Sequence, residues 1–434
     1  MTSTPALAPS GLADRGFANF FIAAVIFAMF VAAAFFSAER KDITQGFDEV
    51  AQASYVAQIQ HTHDLWPAFD DLRMLDPKTL RFTGEANYLD HPPIFYALLA
   101  VAGPDLEGRP QALLTFRLID VAISALGVAA LLGLGLAAGF TRQEFYAYAI
   151  PIACIPILAP LAGAINNDDL AFLGGAIATL GIWQLVATDR GGWLALALVG
   201  VIVAAWAKLT GLALTGATVS AVIAYLIWRR RWRWSWTIGV AFAFLIAAAP
   251  YIVLTLQYGS PAPDTAAQVA MLKHDARVLG LADLPRKSFL AYLGYFIVAF
   301  VAEWMPSLSA RSVFNYAMLI VPVTALACAV AGLLLSLRRL WRRRETALDV
   351  VVIAGALALA LSFVMHVRHS YADHLATGWL MEAYPRYYLP LAAIVPLAGL
   401  SLLAGVPSPR WHAALLAFLV AGPIVFRLFG ASFG

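Results

Sequence analysis

Charge is what this 434-residue chain has least of: Asp, Glu, Lys and Arg make up 13% of it, against 61% apolar residues. A soluble domain carries about 25% charged and about 45–50% apolar residues, so a soluble globular enzyme is excluded. The mean hydropathy of +0.76 agrees. Cysteine is nearly absent too. Cys154 and Cys328 both lie inside apolar runs, which excludes a disulfide framework or a thiolate metal site and leaves core packing. The chain lacks an internal repeat at a fixed period, a low-complexity tract, and a glycine-rich loop of the kind that cradles the phosphates of a soluble nucleotide. The net charge of +3 says little as a total; its distribution says much more.

What the chain does have is long apolar runs. About 20 apolar residues cross a bilayer, and the sequence predicts eleven spans, at 17–36, 111–138, 143–163, 170–187, 192–207, 211–228, 236–256, 313–337, 348–366, 388–405 and 411–429. The first run is longer than the roughly 7–15 residues of a signal-peptide core and reads as a retained span. Two shorter apolar stretches, 92–103 and 288–302, are placed by the positive-inside rule. One arginine cluster is Arg229, Arg230, Arg231 and Arg233; a second is Arg338, Arg339, Arg342, Arg343 and Arg344. Both fall in the cytoplasm, together with Arg142, Arg190 and Arg410, only if neither short stretch crosses. Both stretches therefore read as re-entrant or interfacial helices on the outer face.

The expected architecture is an all-α polytopic membrane protein, one transmembrane domain over 1–434. A first outer loop with interfacial helices occupies 38–110, and a second large outer loop occupies 257–312. The smaller outer stretches are 166–169, the turn near Lys208, and 367–387. His61, His63, His91, His274, His366, His369 and His374 are all on this side, with only His412 elsewhere. Chemistry belongs to the outer face. The Arg-Trp run 228–236 beside a span reads as an orientation signal with headgroup-anchored tryptophans, so no nucleic-acid partner is expected.

Five segments could carry that chemistry. Asp48-Glu49 opens a short predicted helix reaching Gln60, and adjacent helical residues point about 100° apart, so only one acid faces a given site. The choice is between a general base and an acidic pair at a helix start, where the dipole favours carboxylates. His91-Pro92-Pro93 opens the short helix 94–103, since proline suits a first turn; His91 then caps it or contacts a phosphate or hydroxyl. Asn166-Asn167-Asp168-Asp169 puts two acids at a membrane boundary, costly unless they serve a site, or else Asp169 caps the next helix. Lys208 sits in a nearly uncharged stretch and needs an anion or a path to the surface. Arg386, in Glu382-Ala383-Tyr384-Pro385-Arg386-Tyr387-Tyr388-Leu389-Pro390, suits phosphate through its forked donors, unless it pairs with Glu382 four residues away. Tyr387 belongs to that site or to an aromatic belt. His61-x-His63-Asp64 and His366-x-x-His369 leave a divalent cation open, but neither has a strong ligand spacing, and no metal site is expected.

In this order the pieces resemble the GT-C superfamily of membrane glycosyltransferases, and within it the polyprenyl-phosphate-sugar-dependent protein O-mannosyltransferase and lipid A aminoarabinose transferase families. The family pattern is an early acid, often Asp-Glu, then a His-Pro-Pro or Lys-Pro-Pro, an Asp after the third span, a later Lys, and a late Arg-Tyr-Leu-Pro-like motif. Asp48-Glu49, His91-Pro92-Pro93, Asp168/Asp169, Lys208 and Arg386-Tyr387-Tyr388-Leu389-Pro390 match it over about 17–405. The departures are His91, where aminoarabinose transferases commonly carry lysine, and an end soon after the core spans with no expected soluble C-terminal domain.

The resemblance implies a GT-C-like fold of about 11 transmembrane helices and an inverting transfer from a polyprenyl-phosphate-linked sugar, with Asp48 as base. Glu49 would orient Asp48 or a nearby donor, Lys208 and Arg386 would hold the leaving phosphate, and Asp168 or Asp169 would bind hydroxyls. The acceptor would be an envelope lipid, glycan or protein. The location would be the bacterial cytoplasmic (inner) membrane, among its lipids, with the site facing the periplasm. The rival readings are a transporter or flippase of lipid-linked sugars, which would show paired repeats and broken central helices, and a polysaccharide ligase or polymerase.

Overall fold

The computed structural model describes residues 10–304, 312–380 and 383–433. Helix α1 (Ser10–Arg40) leads through a glycine turn into the short α2 (Glu49–Thr62). A small antiparallel hairpin follows, β1 (Arg73–Leu75) with β2 (Phe82–Ala86), then α3 (Ile94–Ala102). The bundle continues with α4 (Leu113–Ala137), α5 (Arg142–Ala153), α6 (Leu158–Ala162), α7 (Asn167–Thr188), α8 (Gly191–Ala207), α9 (Leu209–Trp228) and α10 (Thr237–Tyr258). The second large loop carries α11 (Ala266–Val278), α12 (Phe289–Ala302) and strand β3 (Ser312–Phe314); its residues 305–311 lie outside the described ones. Then come α13 (Ile320–Trp341), α14 (Ala347–Thr377), a 3₁₀ segment Pro385–Leu391, α15 (Ile394–Leu403), α16 (Pro409–Phe429) and β4 (Ala431–Phe433), which pairs with β3.

The all-α polytopic reading holds, and the count of eleven is not confirmed. Among the described residues eight helices are long and apolar enough to cross a membrane, or nine if Pro385–Leu391 and α15, bent by 60°, form one span. The expected span at 143–163 is broken instead into α5 and α6, with Pro151 inside the first and Pro156 in the turn between them. Proline removes a helical donor and clashes with the preceding turn. The stretch at 192–207 is α8, only 17 residues long. Helices α3 and α12 have 9 and 14 residues, too short to cross at about 1.5 Å per residue, as expected for re-entrant or interfacial segments. Helix α14 runs past its expected end at 366 to Thr377, because no Gly or Pro interrupts it before Gly378, whose φ of 88° stops it.

Small residues set the packing, as they do where lipid removes the hydrophobic drive between helices. Gly174 of α7 and Gly200 of α8 lie against each other's backbones, and a methyl group at Gly175 would collide with the Pro390 carbonyl. The late 3₁₀ segment therefore lies directly on α7. That contact carries Arg386 to the α7 N-terminus.

Candidate active site

Seven chain segments converge on one cavity: the start of α2, the approach to α3, the start of α7, the α8–α9 junction, α11, the outer part of α14 and the 3₁₀ segment with the residues just before it. Gly46, Phe47 and Asp48 have φ of 82°, 64° and 59° in succession. Two non-glycine residues in the left-handed region are strained, and such strain gathers at functional sites. Asp48 is the N-cap of α2, yet its side chain makes no capping hydrogen bond, so the helix-start role is not the one it plays. Its carboxylate instead faces the cavity, with 37% of the side chain exposed there. It accepts from Arg386 Nη2 at 2.5 Å and from the Tyr88 hydroxyl at 3.1 Å. Burial pushes the Asp48 carboxyl up, but the Arg386 guanidinium and these hydrogen bonds outweigh it and hold the group below the usual carboxylate range.

Arg386 is 8% exposed and also pairs with Asp168, Nε to Oδ2 at 3.5 Å. Lys208 Nζ donates to Asp168 Oδ1 at 2.5 Å and stands 4.0 Å from the centre of the Tyr387 ring. Lys208 is inside because the backbone opens there: it is extended, φ −167°, between α8 and α9, and only 4% of it is exposed. Asp48, Arg386, Asp168 and Lys208 thus form one chain of alternating charge. Tyr384 and Tyr387 flank the guanidinium at 4.9 and 5.8 Å. Glu382 lies outside the described residues; the described partners of Arg386 are Asp48 and Asp168.

His91 lines the same cavity and pairs with Asp90 at 3.2 Å. Burial pushes His91 down and Asp90 up, so both are pressed toward their neutral forms.

Two expected site residues face elsewhere. Glu49, expected to orient Asp48 or a nearby donor, does not line the cavity. It is buried and takes a bidentate contact from Arg117, at 2.6 Å from Nε and 2.9 Å from Nη2, and accepts from the Ile165 amide at 3.1 Å. Arg117 also donates to the carbonyls of Ala38 and Lys41, at 2.9 and 2.8 Å. This network ties α1, α2, α4 and the loop before α7 together behind the site. Asp169 is also turned inward and accepts from Ser124 of α4. The cap of α7 is Asn166, whose side chain accepts from the Asp168 amide at 2.8 Å. Of the acid pair, Asp168 faces the cavity and Asp169 does not.

The histidine spacings do not assemble as ligand sets. His61 bonds Glu107 at 3.1 Å, and His366 bonds the Tyr388 hydroxyl at 3.0 Å. Among the described residues one group, Asp264, His369 and Asp373, has ligand atoms all within 4.8 Å of one another. One imidazole and two carboxylates suit a divalent cation. His369 also lines the cavity. Sequence spacing missed this group because Asp264 lies more than a hundred residues before His369 and Asp373.

A multi-pass helical bundle with short helices between its first two long spans thus holds an acid–cation cavity. The sequence matches no family model and no curated protein. Among solved structures it is similar to ArnT from Cupriavidus metallidurans, both bound to undecaprenyl phosphate and in the apo state. In each case the TM-score is 0.50 at 16% identity, over 90% of this chain and 61% of the ArnT chain. The chain therefore shares that fold while spanning about three fifths of the ArnT length.

Proposed function

We propose that this protein is an inverting glycosyltransferase that moves a sugar from a polyprenyl-phosphate donor to an envelope lipid, glycan or protein acceptor at the non-cytoplasmic face of the cytoplasmic membrane. The observation that carries the reading is the meeting of a strained, cavity-facing carboxylate, Asp48, with two buried cations, Arg386 and Lys208. Inverting transfer needs these two functions together. A base takes the acceptor hydroxyl proton while that oxygen attacks the anomeric carbon, and the carbon–oxygen bond to phosphate breaks with its electron pair leaving on the phosphate.

Asp48 is the base. Arg386 and Lys208 oppose the charge that develops on the leaving phosphate, and Tyr387 holds the Lys208 ammonium against its ring face. Asp168 positions both cations. Because Arg386 touches Asp48 as well, a phosphate arriving between the cations would share the guanidinium and raise the proton affinity of Asp48, coupling donor binding to base strength. The likeness to an ArnT structure that holds undecaprenyl phosphate supports a lipid-phosphate donor. The orientation rests on the arginine clusters and the positive-inside rule.

The reading is tested with purified protein in lipid nanodiscs, an undecaprenyl-phosphate-linked sugar, and envelope extract as acceptor. Acceptor-dependent release of undecaprenyl phosphate is expected. A flippase would move the intact lipid across a vesicle bilayer and release none.

A further inference from the structure

Resting on the lipid-phosphate-sugar reading, we infer that Gln52 and Asn167 form an amide subsite that holds the hydroxyls of the donor's sugar ring. Both residues line the cavity, and both are almost wholly buried, at 3% and 1% exposed. In each, the amide oxygen is buried without a hydrogen-bond partner. Native proteins leave few such groups, because a buried acceptor that has given up water and found no donor is destabilising. Two of them on one cavity wall point to a ligand that supplies the donors.

The orientation of Asn167 is fixed by its other end. Its Nδ2 donates to the Ala207 carbonyl at 3.1 Å, and a carbonyl can only accept, so the amide oxygen is the end left over. That oxygen can be satisfied only by an O–H or N–H group. Gln52 makes no side-chain hydrogen bond among the described residues, so its amide can both accept and donate. A hydroxyl likewise does both.

Placement identifies which hydroxyls. Gln52 is one helical turn beyond Asp48 on α2, so the two share a face. Asn167 directly precedes Asp168, the partner of both cations. The amides thus bracket the acid–cation chain assigned to the base and the phosphate. In a glycosyl phosphate the anomeric carbon is one bond from a phosphate oxygen, so the ring has to lie beside that chain. Gln268 of α11 is a third amide on the cavity wall with an unpartnered oxygen, and it brings the second outer loop to the same place.

The test uses full-length protein in nanodiscs and two probes, undecaprenyl phosphate alone and undecaprenyl-phosphate-linked glucose. Wild type should bind the glycosylated lipid more tightly. Gln52→Leu should weaken that binding roughly three- to tenfold, as expected for a lost neutral hydrogen bond, and leave the bare lipid unchanged. Its thermal midpoint should equal or exceed that of wild type, because the substitution removes an unsatisfied polar group at nearly constant volume. Asn167→Ala should show the same separation of the two probes. Equal weakening for both probes, no weakening for either, or wild-type affinity indifferent to the sugar would overturn the subsite. Failure of wild type to bind undecaprenyl phosphate at all would overturn the lipid-phosphate reading and the subsite with it.

Discussion

Replacing Arg386 by glutamine removes the group that links the proposed base to the proposed phosphate site, and its consequences can be worked out from the geometry. A charge-assisted contact to phosphate is worth about 1.5–3 kcal/mol, so affinity for undecaprenyl phosphate should fall roughly 10- to 100-fold. The fold should survive. Breaking a buried ion pair costs about 3–5 kcal/mol when a charge is stranded, but Asp48 is 37% exposed to the cavity and Asp168 keeps Lys208, so the cost should lie at or below the lower end of that range.

The pH dependence also has a definite sign. Asp48 sits below its ordinary value because Arg386 outweighs burial. Without the guanidinium, burial prevails and the carboxyl moves up. A protonated Asp48 cannot take the acceptor proton, so the acid limb of kcat/KM should shift to higher pH in the variant. The stability that the depressed group contributes is present above the unfolded carboxylate value of about 3.9 and is lost as pH falls through the folded one; the variant should lack that dependence. Equilibrium binding of undecaprenyl phosphate and the pH profile of transfer are the two assays. Unchanged affinity together with an unmoved acid limb would refute the assignment.

Three other outcomes follow from the same arrangement. Lys208→Ala should also weaken donor binding, and the double variant with Arg386→Gln should lose less than the sum, since both cations hold one group; strict additivity in a binding cycle would separate their roles. Glu49→Gln should act on stability, with a loss of about 3–5 kcal/mol in chemical denaturation because Arg117 is stranded, while a normally stable but inactive variant would return Glu49 to the chemistry. Cysteine reporters at Gly108 and Arg338 should label from outside and from the cytoplasm respectively, and the reverse pattern would overturn the arginine-based orientation.

The site was legible where charge is rare. In an apolar chain each of Asp48, His91, Asp168, Lys208 and Arg386 had to be explained, and the structure brings all five, with Tyr387, to one cavity. The choice within each acid pair was not legible, because it depends on tertiary partners: Arg117 and Ser124, both on α4, turn Glu49 and Asp169 inward. Arg117 itself carried a signal, an arginine inside a long apolar run three residues from Asp120. Gln52 carried none, since a neutral amide on a helix is unremarkable until its surroundings are known. The count of eleven spans is not confirmed, because proline breaks 143–163 and α8 is only 17 residues long, both matters of local backbone that average hydropathy does not register.

The most direct measurement of the central claim is single-turnover transfer by wild type and Asp48→Asn in nanodiscs, with a radiolabelled undecaprenyl-phosphate-linked sugar and envelope extract as acceptor. Wild type should release undecaprenyl phosphate in step with label entering the acceptor. Asp48→Asn should bind the donor normally and transfer about 10²–10⁴-fold more slowly, the loss expected for a missing general base. Transfer by Asp48→Asn within a few-fold of wild type would place the base elsewhere, and intact donor with no label in any acceptor would contradict glycosyl transfer itself.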